Sequence, residues 1–506
     1  MTHLRFRYQG VADWPPLAWL ARCSRHESEI TIYHGDGVDT APGWFCEAVW
    51  AGRYDAGDFD RTDVVFGSGG RTREDRATFV SSASTVDRVH ALETASGAWV
   101  SNSLACLIAA TRASVDPLYP RYFADFRTIR DGLGRYRRSL ETTRGPVQLT
   151  YYHNLEWDGA RLRAISKPHV AHDFASFAKY RSFLAHSLER LADNMATRLR
   201  RRPYRFLGTL SSGYDSATVA VLGREAGLSE VITVDRARGG EPDSGAELAL
   251  RLGLRAHVVR RDAWRDRPFA EIPFIASDAK GEDVYFSGAE DHLAGTVLLS
   301  GFHGDQAWAR RGRPVNADIV RKDQSGLSLS EYRLWVGFIH CPLPFLGALQ
   351  LADIGAISRS PELAPWDWPR GHSRPICRRI VEDAGLPRES FGMRKRAASV
   401  LLFDEGFLSP ASLADYTSWM ASRTGDAKRL RARARRDDAA RRFYVRLLEP
   451  VAALTPRRWT LAHAIVQRLL RAGKREQLFR YVFPWALARA ATRYAPAFAA
   501  TVDGVA

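Results

Sequence analysis

The stretch Leu207-Gly-Thr-Leu-Ser-Ser-Gly-Tyr-Asp-Ser-Ala-Thr-Val-Ala-Val221 decides how the rest of the chain is read. Residues 205–210 have the make-up of a strand and 216–226 that of a helix. Between them stand small hydroxyl residues and Gly213. The first N–H groups of such a helix point outward at the positive end of its dipole, which makes a seat for phosphate oxygens. Gly213 permits close backbone approach, and the hydroxyls of Ser211, Ser212 and Ser216 add donors. Asp215 would repel a bare polyphosphate. It is accounted for if Mg²⁺ lies between them, because magnesium takes carboxylate and phosphate oxygens together. An ordinary N-cap turn draws on the same residue types, but the strand before and the helix after favour the phosphate seat.

Working outward, Val231 to Val234 reads as a strand, Ser244 to Leu252 as a helix and His257 to Val259 as a strand. Strands alternating with helices of this length imply an α/β fold, a parallel doubly wound sheet covered on both faces. Most of 261–420 reads as helical additions, with Thr296 to Ser300 a strand returning to that sheet. Upstream, Asp173 is the expected cap of a long helix. Its Phe174, Phe177, Arg181, Leu184, Leu188 and Leu191 recur at three- and four-residue spacing. Residues 1 to about 165 mix short apolar runs (Ile30 to Tyr33, Val64 to Phe66, Trp99 to Val100, Gln148 to Tyr152) with Gly-, Asp- and Pro-rich turns, the pattern of a strand-rich domain. Lys167-Pro168 marks a boundary, since the residue before proline avoids the helical region. The end of the chain is basic and helical. The expected division is 1–167, 168–420 and 421–506, the last a separate terminal lobe.

At 506 residues the chain exceeds one ordinary core. A net charge of +16 raises nucleic-acid binding, but 7 Lys against 66 Arg indicates a compositional preference for Arg throughout. The densest run, Arg423 to Arg446, is broken by Asp426, Asp437 and Asp438 like a solvated helix, so no nucleic-acid partner is expected. Cys23, Cys46, Cys106, Cys341 and Cys377 form no C-x-x-C pair, which argues against a disulfide framework or a zinc site and suits a reducing cytoplasm. Neither of the two uncharged stretches, Thr94 to Thr111 and Leu334 to Ala352, is apolar enough for a transmembrane helix.

Ser211-Ser212-Gly213-Tyr214-Asp215-Ser216 resembles the S-G-G-x-D-S pyrophosphate loop of the ATP pyrophosphatase (PP-loop) superfamily, with Ser212 where that family usually has glycine. There is neither a Walker A sequence nor a G-x-G-x-x-G. Downstream, Val231-Ile-Thr-Val234, Pro242-Asp243-Ser244 and the helix to Gly253 resemble the corresponding segments of asparagine synthetases. Leu298-Leu-Ser-Gly-Phe-His-Gly-Asp-Gln306 resembles their L-S-G-x-G-x-D-E. The resemblance implies that Leu210, the loop residues, Val234, Ser300 and Gly301 line ATP, and that Asp305 joins Asp215 as a Mg²⁺ ligand. Gly337-Phe-Ile-His-Cys-Pro-Leu-Pro-Phe-Leu346 resembles G-x-E-x-R-x-P-F-L-D, with His340 in place of Glu, Pro342 of Arg and Gly347 of Asp. Phe302 stands where asparagine synthetases have Glu and β-lactam synthetases Tyr. Aspartate is therefore an unexpected substrate, and His340 is read either as a general base toward an amine or as a buried structural residue. Phe391-Gly-Met-Arg-Lys-Arg396 resembles the R-x-K segment, which implies a catalytic role for Lys395 in neutralising phosphate and intermediate charge.

Asparagine synthetases begin Met-Cys and use that Cys on glutamine, whereas position 2 here is Thr. Trp99-Val-Ser-Asn-Ser-Leu104 resembles the late part of such a domain. The implied N-terminal fold is a degenerate glutaminase-like (Ntn-type) domain, as in β-lactam synthetases and lasso-peptide cyclases. The expectation is an ATP- and Mg²⁺-dependent carbon–nitrogen ligase. It adenylates a small-molecule, peptide or sugar carboxylate and passes the acyl group to an amine or ammonia, and a homodimer is compatible with that. Two alternatives stay open: a nucleotide- or tRNA-modifying PP-loop enzyme, and a non-catalytic descendant of a synthetase.

Overall fold

The computed structural model describes residues 3–310, 317–368, 373–392, 397–400, 407–424, 446–447, 450 and 481–499. Its N-terminal part holds two sheets. A seven-stranded sheet runs in the order Arg5–Gly10, Glu29–His34, Trp19–Ser24, Gly97–Ser101, Val89–Thr94, Val147–Thr150, Ser139–Leu140. A six-stranded sheet runs Leu162–Ile165, Asn154–Trp157, Arg76–Val80, Val65–Arg73, Trp44–Trp50, Asp39–Ala41. Alternation along each strand sends one apolar row inward. Trp19 from the first sheet packs against Phe45 (5.1 Å) and Phe79 (6.0 Å) from the second, so the sheets share a core. The strand-rich expectation for this region agrees with these sheets.

The second part is built on a five-stranded sheet, all parallel, in the order Arg255–Val259, Glu230–Val234, Arg205–Thr209, Thr296–Ser300, Ile339–Pro342. Four of these strands lie where the sequence suggested. The fifth does not. Residues 339–342 fall in a region expected to be helical, and the strand escapes a periodicity search because Gly337, Pro342 and Pro344 leave only four residues of pattern. The helix after the first strand begins at Tyr214 and ends at Glu225, two residues earlier at its start than expected, so Asp215 and Ser216 lie in its first turn. That helix buries Ala217, Val219, Ala220, Val221 and Leu222 on nearly all sides, and the helix Pro375–Asp383 covers it.

The long helix spans Phe177–Ala196 and is capped by Ser176, whose hydroxyl accepts from the Lys179 N–H at 3.3 Å, rather than by Asp173. Asp173 instead accepts from Ala175 N and pairs with the Lys179 ammonium. The buried stripe, from Phe177 and Tyr180 to Leu184, Leu188 and Leu191, fixes where the helix starts.

The parts are joined by buried charge. Arg333, on the helix Leu329–Val336, donates to Glu47 (2.6 and 3.1 Å) and to Asp87 (2.9 Å) of the two-sheet region, and all three side chains are at most 5% exposed. Glu47 also accepts from Ser68 and Asn102. Lys167, at the expected boundary, is buried and donates to Ser81 O and Asn154 Oδ1. The described end of the chain does not stand apart as a lobe. The helix Val482–Ala491 lies on the helices Ile272–Asp278 and Leu104–Thr111, with Phe483, Trp485 and Tyr494 buried. Most of Arg423 to Arg446 lies outside the described residues. Among the described residues no helix is long and apolar enough to cross a membrane, and the five cysteines are buried thiols. Ser176→Ala is expected to cost about 1 kcal/mol in urea denaturation, against a few tenths for Asp173→Ala, as befits a cap and an exposed ion pair.

Candidate functional site

The sheet order reverses direction between Arg205–Thr209 and Thr296–Ser300, the two strands whose connections run to opposite sides. In open parallel sheets the crevice beyond the carboxyl ends of such strands is where ligands bind. Both turns singled out in the sequence lie there. Residues 211–216 follow the first strand and 301–305 follow the second. A cavity of about 280 Å³ opens between them, lined by Leu210, Ser211, Gly213, Tyr214, Asp215 and Ser216, by Gly301 and Asp305, and by Val234 at the end of the next strand.

The helix start is open to this cavity. Gly213 is its N-cap, at φ −84°, and no side chain caps the helix. Gly213 is thus not required by backbone conformation. A Cβ there would stand 3.3 Å from Ser211 Oγ, in the hollow where the hydroxyls meet. Ser216 Oγ accepts from the Ser211 N–H at 3.0 Å and shares a hydrogen bond with Ser211 Oγ at 2.9 Å, so the turn is held by its own hydroxyls. Ser212 does not line the cavity. Its hydroxyl donates to Asp243 Oδ1 at 2.7 Å, and its carbonyl accepts from the Gly392 N–H at 2.7 Å. The serine that departs from the usual glycine therefore ties the loop to the Pro242-Asp243-Ser244 segment.

Asp215 is seated against the second turn. A Cβ on Gly301 would lie 2.6 Å from Asp215 Cβ, and one on Gly304 would lie 2.6 Å from the Asp215 carboxyl carbon. Only glycine at both positions lets the turns approach this closely. The Asp215 carboxylate forms an ion pair with Arg374, at the start of the helix Pro375–Asp383. Burial and the neighbouring Asp305 and Asp323 push its pKa up, and Arg374 pulls it down, with a net rise. Arg374 was not identified from sequence, because one arginine among 66 gives no signal. Asp215, Asp305 and Asp323 all line the cavity, so their donor set suits a hard cation. Among the described residues no group of three or more such side chains stands close enough to chelate a metal alone. Phosphate oxygens or water would have to complete the shell, which is how magnesium is commonly held.

Two expected residues are placed otherwise. Ser300 is fully buried, and its hydroxyl meets His340 Nε2 at 2.7 Å. Neither residue lines the cavity. Burial and the charges of Arg333 and Arg321 lower the His340 pKa to about 3. That is the position of a neutral imidazole bracing the turn after the fourth strand, so the structural reading of His340 replaces the general-base one. Lys395 lies outside the described residues.

His303 was missed. It occupies the place of the second glycine in L-S-G-x-G-x-D-E, and its φ of 77° is the left-handed conformation that favours glycine. It lines the cavity, is 4% exposed, stacks on Phe345 at 4.6 Å and has no hydrogen-bond partner on either ring nitrogen among the described residues. A histidine at a motif glycine was the available signal. No protein-family model and no curated protein matches this chain. Arg374→Met should destabilise the fold by about 1–3 kcal/mol, since the Asp215 carboxylate loses its counter-charge but, at 19% exposure, keeps access to the cavity. Adding Asp215→Asn should recover most of that loss in urea denaturation at neutral pH.

Proposed function

We propose that this chain is an ATP-dependent ligase of the asparagine-synthetase-like type, which adenylates a carboxylate and transfers the acyl group to an amine. The observation that carries this reading is the convergence of an uncapped helix start and a second acidic turn on one cavity at the strand-order reversal. An uncapped helix start presents N–H groups to the β- and γ-phosphates as they depart. Ile232 to Val234 and Val259, at the ends of the neighbouring strands, give the cavity an apolar wall suited to a purine. Arg374, half-buried beside the loop, would supply fixed positive charge for the phosphates once Asp215 is otherwise neutralised.

Asp215 and Asp305 would hold Mg²⁺, which supplies charge neutralisation on the triphosphate when bound. In this reading the substrate carboxylate oxygen attacks the α-phosphorus and the bond to the β-phosphate bridging oxygen breaks, giving acyl-AMP and pyrophosphate. The amine nitrogen then displaces AMP at the acyl carbon. Lys395 keeps its role in this proposal, supported by the flanking described residues Gly392 and Ala397, which line the cavity. The two facing sheets support a glutaminase-like fold for the N-terminal region.

The test is pyrophosphate release from ATP by the full chain across a panel of carboxylates. Expected are pyrophosphate rather than phosphate, ¹⁸O carried from the carboxylate into AMP, and a loss of about 100-fold or more in Asp215→Ala. Unchanged release in Asp215→Ala, or an ADP product, overturns the reading.

A further inference from the structure

No described residue of the two-sheet region lines the cavity, yet that region builds part of its wall. Residues 318–326 form an irregular segment ahead of the helix Leu329–Val336, and two of them, Asp323 and Ser325, line the cavity. Such a segment has no hydrogen-bond ladder of its own, so neighbours must satisfy its backbone groups. Here the neighbours belong to the two-sheet region. Asp318 O accepts from the Leu133 N–H at 2.7 Å, and Asp318 Oδ1 accepts from the Gly134 N–H at 2.9 Å. The Arg321 N–H donates to Arg130 O at 3.0 Å. Gly132, at φ 99°, is required for this approach, since a Cβ there would stand 2.7 Å from Asp318 O.

Arg321 carries that anchorage to the cavity. The residue is 4% exposed, and its guanidinium bridges the two parts, donating to Thr85 O at 3.2 Å and to Ser325 O at 2.5 Å. It also lies over the Phe345 ring, 5.8 Å from its centre, and Phe345 stacks on His303. The next two residues meet the acidic turns. Lys322 Nζ donates to Asp305 O at 2.5 Å, and Asp323 Oδ1 accepts from the Ser325 N–H at 3.1 Å. The Asp305 main chain is thus fixed by Lys322 as well as by its own turn. Asp323 stands close enough to Asp215 to push its carboxyl pKa up. A planar fork of donors holds two carbonyls in one fixed geometry, which neither an ammonium nor an apolar chain can do.

Resting on the ligase reading, we propose that the two-sheet region is a positioning domain for the metal side of the nucleotide site, and that Arg321 is the residue through which it acts. Groups that orient metal ligands without touching the metal commonly govern its affinity by about 10- to 100-fold. Arg321 touches neither nucleotide nor metal in this assignment. It fixes Lys322 and Asp323, and through them the Asp305 turn. The purine side is built differently. Its wall, Ile232 to Val234 and Val259, belongs to the parallel sheet itself and takes none of these bonds. Loss of the Arg321 bridge therefore loosens the site for Mg·ATP and leaves the seat of the adenosine part intact. The front of the chain gains a role in the reaction that needs no chemistry of its own.

The experiment measures binding without catalysis. Mg·ATP and, separately, AMP in the presence of EDTA are titrated calorimetrically into the full chain. Arg321→Met should weaken Mg·ATP by about tenfold or more and AMP by no more than about twofold. Asp318→Ala removes the carboxylate that the Gly134 N–H binds and lies outside the cavity lining. It should weaken Mg·ATP severalfold, again sparing AMP. A merely structural contact would lower the urea midpoint and leave both affinities alone, or diminish both together. Unchanged Mg·ATP affinity in Arg321→Met, or equal loss for the two ligands, therefore overturns the proposal. Should Arg321→Met fail to fold by circular dichroism, Asp318→Ala decides by the same criteria. A wild-type chain that does not bind Mg·ATP defeats the ligase reading itself, and the proposal with it.

Discussion

Two backbone turns press on one carboxylate. The parallel sheet places the turn after Arg205–Thr209 beside the turn after Thr296–Ser300, and Asp215 fills the contact between them with no room for a side chain at Gly301 or Gly304. The rest of the site follows from that fit. A half-buried carboxylate with Asp305 and Asp323 as neighbours is steadied by a counter-charge, which Arg374 provides. Arg374 can reach it because the helix it opens packs along the helix Tyr214–Glu225. The same helix brings Arg378, whose guanidinium donates to the Tyr214 hydroxyl at 2.5 Å and fixes the ring that follows the N-cap. Gly392, at φ 68°, closes over that ring.

The loop was legible because its message is local. Small hydroxyl residues, one glycine and an aspartate between a strand pattern and a helix pattern specify a helix start whatever surrounds it. Parallel strands with apolar cores at 205–209, 230–234, 255–259 and 296–300 were legible for a similar reason, since both faces are covered and the apolar runs are continuous. The strand Ile339–Pro342 was not. It is a strand because Val297–Ser300 offers a partner edge, and four residues bounded by glycine and proline carry no period of their own.

Site residues divide along the same line. Asp215 and Asp305 announce themselves within a motif, whereas Arg374 acts from far along the chain and is drawn in by tertiary packing. His340 stood where the resemblance put a catalytic group. Its chemistry was altered by what buries it, which no linear pattern records: the Arg333 and Arg321 charges and the Ser300 hydroxyl. His303 was readable in principle, as a side chain intruding on a glycine position. At the end of the chain, read from sequence as basic and helical, Trp485 and Phe483 find a core only once the helices Ile272–Asp278 and Leu104–Thr111 are in place, which the local sequence does not show.

The guanidinium of Arg333 belongs to one half of the molecule and both of its counter-ions, Glu47 and Asp87, to the other. Separating the halves would leave a naked cation inside the part built on the parallel sheet and two naked anions inside the two-sheet part, each far costlier than the joined triad. A truncation at residue 168 therefore removes more than a neighbour. The stability of the back of this chain is thereby tied to the front.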